Sequence, residues 1–289
     1  MDLDLRKLRY FVAVAEELHF GRAAERLHIA QPVLSRQIRA LEDELHAQLF
    51  VRTKRVTELT LAGRQLLEDA RPLLAGADAT RRRVARAARG SKTFMIGFMP
   101  GLTVTEAVRA FGATHPELDI ELIRTTWDDQ VQVLHDGRVD VSVVRLPIDQ
   151  AGLTVHPLFE EPRVAALPAD HRLAGKSQID ITDLADDHLL QPPDAVPEWR
   201  DIATELRART PRPVPVVHSV EEKLEHVAAG RGVSIVPHSV AAFYQRHDVV
   251  TVPVGNIAPN VVALAWIATR RSRLLRDFAA IAPTVTWTA

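Results

Sequence analysis

Gln31, Ser35, Arg36 and Arg39 lie within nine residues of one another in "AAERLHIAQPVLSRQIRALE", residues 23–42. An amide, a hydroxyl and two guanidinium groups at this spacing are suited to reading duplex DNA. Gln pairs with adenine edges, Arg with guanine O6 and N7, and Ser with phosphates. Arg52, Lys54 and Arg55 follow in "LFVRTKRVTELT", residues 49–60, a basic loop between an apolar anchor and a strand-like return. Such a loop neutralises phosphates along the backbone. No comparable set exists for bond making. The twelve His residues include no HExxH pair, there is no GxxxxGK[ST] loop or GxSxG elbow, and "GRGVSI" stops after two glycines. The chain has no cysteine, which excludes disulfides, thiolate zinc sites and thiol redox sensing. We expect no catalytic residues, no metal and no cofactor.

The elements that must hold these groups are helices. Leu8, Phe11, Val12 and Ala15 recur at helical spacing, with a break expected at Gly21; Ala23, Ala24 and Leu27 give a short second helix. A third starts at Pro32, where a missing amide donor costs nothing. In it Leu34, Ile38, Leu41 and Leu45 share one arc facing the core, while Pro32, Ser35, Arg36 and Arg39 face away, with Gln31 at the exposed start. This is a helix-turn-helix followed by a basic wing. A solvated polar face is the competing reading of the wheel alone, and the wing shifts the balance toward DNA.

Thr60 caps a further long helix in which Leu66, Ala70, Leu73, Ala77, Thr80, Val84 and Ala87 alternate by four and three, the seam of a two-helix coiled coil. This predicts a homodimer, with recognition helices about 34 Å apart on one face of DNA. Pro72 predicts a kink, at a cost of about 3 kcal/mol if the helix continues through it. Arginines 81, 82, 83, 86 and 89 read as a solvated face.

Charge divides the same way. Residues 1–90 carry 17 Lys+Arg and 12 Asp+Glu, and the remainder 19 and 25, for a total of −1. Only the first part suits a polyanion. After Ser91 short apolar runs alternate with helical stretches ("FMIGFM", "DIELIR", "VDVSVV", "RVAALP", "GVSIVP", "VVALAWI"), which predicts α/β units on a largely parallel sheet. Val249 to Thr269 lacks charge, but Pro253, Gly255, Asn256, Pro259 and Asn260 make it two buried strands and a turn rather than a membrane span. The charged start, "MDLDLRKLRY", carries no export signal, so the expected compartment is the cytoplasm.

"LRYFVAVAEELHFGRAAERLHIAQPVLSRQIRALEDELHAQLFVRT" followed by "LTLAG" resembles the winged helix-turn-helix of the LysR-type transcriptional regulators, nearly continuously from Leu5 to Gly63. The resemblance assigns Gln31, Pro32, Ser35, Arg36 and Arg39 to the base and phosphate face and Arg52, Lys54 and Arg55 to the wing. The chain departs from the family pattern at Ala30 and Gly21, where hydroxyl caps are usual, at Glu58 in a commonly basic wing, and at His46, where glycine is usual. Losing a hydroxyl cap costs about 1 kcal/mol.

"HPELDIELIRTTWDDQVQVLHDGRVDVSVVRLPI", "LPADHRLAG" and "HVAAGRGVSIVP" are similar, less specifically, to the family's effector-binding part. The fold this implies is α/β with an all-α-rich amino-terminal winged helix-turn-helix (1–61), a long dimerisation helix (62–90) and an effector domain (91–289) like the type 2 periplasmic binding proteins. Its subdomains would be 92–164 with 265–289, and 165–264. The resemblance lines the cleft between them with Pro100, Gly101, Leu102, Thr103, Thr125 to Trp127, Arg145, Gln191 to Pro193 and His218. Trp127 replaces a usual Ser or Thr, which favours an effector with a flat or apolar portion. Arg145 offers a bidentate fork to a carboxylate, with a subdomain salt bridge as the equal alternative. For His218 a structural hydrogen bond is the stronger reading than a titrating sensor. The implied partners are double-stranded operator DNA, a small-molecule effector, a homodimer or homotetramer, and RNA polymerase. The alternatives are a constitutive DNA binder with an unresponsive sensor and, more remotely, an enzyme or solute-binding protein with an accessory helix-turn-helix.

Overall fold

The computed structural model describes residues 3–52, 57–88, 92–202, 217 and 219–287. The chain divides at Ala88/Arg89 into two compact units, with His135–Gly137 grouped with the first. In the first, α1 (Leu5–Glu17), α2 (Phe20–Arg26) and α3 (Gln31–Leu45) bury one shared stripe: Leu8, Phe11, Val14, Ala23, Ala24, Leu34, Ile38 and Leu41. The hairpin of β1 (Phe50–Arg52) and β2 (Thr57–Leu59) pairs antiparallel, Phe50 opposite Leu59, and adds Leu49 and Phe50 to that core.

Gly21 is not the expected break. The first helix ends because Leu18 takes a left-handed conformation (φ 46°), and His19 caps α2, its Nδ1 accepting from the amides of Gly21 and Arg22 at 3.1 and 3.2 Å. A glycine in a first turn is tolerated when a side chain fixes that turn. Past α3, His46 adopts the left-handed region (φ 49°, ψ 35°). Its amide donates to Asp43 O at 3.2 Å and that of Ala47 to Glu42 O at 3.0 Å, the paired bonds of a Schellman ending.

The fourth helix, α4 (Leu61–Ala88), begins as expected at Thr60, whose hydroxyl accepts from the Gly63 amide at 2.9 Å. It runs unbroken through Pro72. Its first turns already serve this unit's core, where Ala70 is buried and Leu66, Leu67 and Leu74 pack, while Leu73 and Val84 stay exposed.

The second unit holds two sheets. The five-stranded sheet has the order β4 (Asp119–Arg124), β3 (Thr93–Phe98), β5 (Val141–Arg145), β10 (Asn260–Ile267), β6 (Leu153–Glu161). With α5 (Thr105–Thr114), α6 (Gln132–His135) and α10 (Arg273–Ile281) it forms lobe I. Phe94, Phe111 and Phe278 meet at its centre, ring centroids 4.9 to 5.6 Å apart. The three-stranded sheet, β8 (Ser234–Pro237), β7 (Arg163–Pro168), β9 (Val249–Pro253), forms lobe II with α7 (Pro197–Arg200), α8 (Val220–Ala228) and α9 (His238–Phe243).

The expectation of a largely parallel sheet is corrected: among the strands of the described residues, β3 alone pairs parallel, with β4 and β5, and every pairing of β10 and β7 is antiparallel. The reason is connectivity. The chain leaves lobe I at the end of β6 and re-enters it along β10, so the two crossover strands run side by side in opposite senses, Glu161 opposite Asn260. β10 begins at Asn260, ahead of the expected return at residue 265. Residues 249–269 do form two strands and a turn, and among the described residues no helix is long and apolar enough to cross a membrane.

Candidate functional site

Helix α3 presents the predicted polar row. Gln31, Pro32, Arg36 and Arg39 are exposed and Ser35 half-buried, opposite Leu34, Ile38 and Leu41, which are at most 1% exposed. Ala30 precedes the helix without any side-chain cap, as its lack of a hydroxyl requires.

The electrostatics distinguish this row from the other basic residues nearby. Arg22 pairs with Glu17 at 3.2 Å, and Arg26 with Glu16 at 2.8 Å, an ion pair that holds the Arg26 guanidinium above its ordinary value. Arg71 also reaches Glu16, at 3.3 Å. Among the described residues neither Arg36 nor Arg39 forms an ion pair. Two outward guanidinium groups with no acidic partner there are left to meet a phosphate or a guanine edge.

The wing is anchored to the same helix by Glu42, which sequence reasoning passed over. Its Oε1 accepts from the amides of Leu49 and Phe50 at 2.9 and 3.2 Å, so a carboxylate of α3 holds the start of β1. Gly63 sits against this corner with no room for a side chain, since a Cβ would lie 2.2 Å from Leu49 O. Arg52 ends β1; Lys54 and Arg55 lie outside the described residues. Glu58 is exposed on β2, opposite Val51.

Of the predicted cleft residues, Pro100 to Thr103 and Thr125 to Trp127 lie on the loops after β3 and β4, with different degrees of access. Pro100, Gly101 and Leu102 are buried in the loop after β3. There Gly101 has φ 78°, and a Cβ on it would come within 2.7 Å of Val240 Cα in lobe II. Thr103 is half-buried. Thr125, after β4, is fully buried, and its hydroxyl has no hydrogen-bond partner among the described residues. Trp127 follows on the same loop, 45% exposed. Gln191 is buried with its oxygen committed inside lobe II, accepting from Ser234 Oγ at 2.6 Å and the Ile235 amide at 3.0 Å. His218 lies outside the described residues.

Arg145 forms the salt bridge that stood as the equal alternative to an effector contact. Its side chain is fully buried and the carboxylate it meets is that of Glu161. Nη1 also donates to Asn260 Oδ1 at 3.2 Å, and Nη2 to Pro100 O at 3.1 Å and Ser239 Oγ at 2.8 Å. Glu161 Oε2 accepts from the Ser239 amide at 2.9 Å. Burial pushes the guanidinium below its ordinary value, and Glu161 opposes that shift. The sequence signal for this was a charge at the end of a continuous apolar strand. Its partners on β6, β10 and α9 were not legible. Lys223 on α8, also unremarked in the sequence, is lowered by burial, with Asp128 of the Trp127 loop opposing.

A winged helix-turn-helix with an exposed basic recognition face, extended by one long helix and accompanied by a two-lobed α/β unit, defines a DNA-binding protein with a ligand-domain architecture. Residues 5–64 match the bacterial regulatory helix-turn-helix proteins of the lysR family, and residues 87–285 match the LysR substrate binding domain. The chain is 33% identical over 288 residues to the Hca operon transcriptional activator HcaR of Escherichia coli (strain K12), covering 96% of this chain and 97% of that protein. It is similar in structure to CbnR, a LysR family transcriptional regulator (TM-score 0.60, 27% identity, 98% of this chain and 99% of that chain). It is likewise similar to full-length CbnR in complex with its target DNA (TM-score 0.53, 28% identity, 98% and 99%). The chain belongs to the LysR family of transcriptional regulators and carries that family's effector-binding domain.

Proposed function

We propose that this regulator binds a specific operator through α3 and its wing, and that a small molecule held between lobes I and II sets how it does so. The observation that carries the reading is the row Gln31, Pro32, Ser35, Arg36 and Arg39 set against a fully buried stripe of the same helix, its two arginines without ion pairs among the described residues. Gln31 and the arginines read base edges and phosphates, and Arg52, Lys54 and Arg55 track the adjacent backbone. The likeness to a regulator solved with its target DNA supports this assignment. The effector has a flat or apolar portion that rests on Trp127. Pro100 to Thr103 and Gln191 frame the rest.

Two copies associate through α4, whose Leu73 and Val84 are 53% and 63% exposed on the predicted seam, and two such dimers form the tetramer. The domain limits follow as 1–61, 62–90 and 91–289. The protein acts in the cytoplasm, with RNA polymerase as its downstream partner and no catalytic step.

The test is fluorescence anisotropy on the intergenic DNA upstream of its own gene, with nonspecific competitor and varied salt. Competitor-resistant binding whose salt slope falls by about one unit in Arg36→Ala is the expected result. Binding equal to that of random duplex overturns the autoregulatory form of the reading. Operator binding unchanged by any small molecule in a broad screen favours the constitutive binder.

A further inference from the structure

The buried hydrogen bonds of Arg145 reach both strands that cross between the lobes, two loops of lobe I and the first turn of α9 in lobe II. Glu161 ends β6, the strand by which the chain leaves lobe I, and Asn260 opens β10, the strand by which it returns. Ser239 lies in the first turn of α9 in lobe II, and Pro100 O belongs to the loop after β3, beside the cleft. The Arg145 amide takes Gln130 Oε1 at 2.8 Å, from the loop that also carries Thr125 and Trp127. Glu161 doubles the link by accepting the Ser239 amide, and Asn260 Nδ2 donates to Leu146 O at 3.1 Å. A single guanidinium therefore grips both crossover strands, a cleft loop and the opposite lobe.

Such a pair is not needed for stability as such, because well-packed apolar side chains of similar volume replace buried ion pairs without loss in several proteins. What a directional network supplies is one preferred arrangement of the groups it joins, and small shifts at one of them become discrete rearrangements of the rest. We propose that Arg145, through Glu161 and Ser239, is the hinge clasp of this regulator, a positioning residue that fixes the angle between the lobes and transmits the state of the cleft loops to lobe II. What the clasp regulates rests on the effector reading; its mechanical role does not.

The natural chain has no cysteine, so spin labels can be placed at will on the full-length protein. Gln150→Cys in lobe I with Lys176→Cys in lobe II reports the interlobe distance by pulsed electron paramagnetic resonance, in samples diluted with unlabelled protein. Gln150→Cys with Ala113→Cys, both in lobe I, is the control pair. All three positions are exposed. The clasp is removed in Arg145→Met/Glu161→Met, which keeps the site apolar and filled, and weakened in Ser239→Ala, which cuts the side-chain bond from the guanidinium into lobe II. The expected result is loss of the single narrow interlobe distribution in the double variant and a smaller broadening in Ser239→Ala, with the control distance and melting temperature unchanged. A purely structural role predicts that the double variant, once its stability is restored, also regains the native interlobe distance. Native distributions in both variants overturn the proposal. No ligand and no DNA enter the measurement, so failure of the effector reading leaves its outcome untouched.

Discussion

Glu42→Ala tests whether the wing owes its position to the recognition helix. The carboxylate accepts two amides, from Leu49 and Phe50, and both residues are buried, 1% and 2% exposed. Hydrogen bonds to a charged acceptor contribute about 1.5–3 kcal/mol each where removal strands a buried donor. These bonds are only partly buried, so water recovers some of the loss, and about 2–3 kcal/mol for the pair is a reasonable sum. Tryptophan fluorescence is blind to this region, because all four tryptophans (127, 199, 266 and 287) lie in the second unit. Hydrogen exchange by mass spectrometry on the peptide spanning Leu49 and Phe50 reads it directly, since local opening sets amide protection. Protection there should fall about 30- to 150-fold in Glu42→Ala. Glu42→Gln, which keeps an acceptor oxygen but not the charge, should fall by roughly a factor of ten. DNA affinity should follow the same order while peptides of the second unit stay unchanged. Protection within a factor of two of wild type in Glu42→Ala refutes the reasoning.

Two further outcomes can be read on the same protein. His46→Gly relieves a left-handed backbone without touching core packing, since His46 is exposed; against the flexibility gained by the unfolded chain, the net is about 0.5–1 kcal/mol of stabilisation of the end of α3, visible as slower exchange at Asp43 to Ala47. For Lys223 burial lowers the native pKa below the ordinary 10.5, so between the lowered value and 10.5 the unfolded chain binds more protons and stability rises with pH across that window. Below the window the penalty is fully present, and Lys223→Met should therefore exceed wild type in urea midpoint at neutral pH and lose its advantage as pH approaches 10.5, followed by tryptophan fluorescence. Parallel pH profiles in the two proteins would show that the ammonium is not desolvated.

The sequence revealed most where a single period decides the outcome. The buried row Leu34, Ile38, Leu41 is a helical repeat, and its complement Gln31, Ser35, Arg36, Arg39 follows from geometry alone. Strand direction was hidden for the opposite reason. "VVALAWI" is apolar on both faces, as suits a central strand, and such a run carries no sign of whether its neighbours run with or against it. The Gly21 error arose from weighing one residue's propensity while the cap that overrides it, His19, stood two positions earlier. Arg145 shows the limit most clearly. Its partners Glu161 and Asn260 are 16 and 115 residues away in sequence, and only the pairing of the crossover strands brings them together.

That pairing also makes lobe II a cassette. Residues 162–259 leave and rejoin the chain at neighbouring antiparallel positions, Glu161 beside Asn260, the spacing that a hairpin turn of about two residues spans in ordinary sheets. The whole second lobe is thus topologically an elaborated turn, and lobe I retains all five strands of its own sheet without it. Sequence change or wholesale exchange within the cassette leaves the order of strands in lobe I undisturbed, so one half of the cleft can diversify while the other, in direct chain continuity with α4, keeps its architecture.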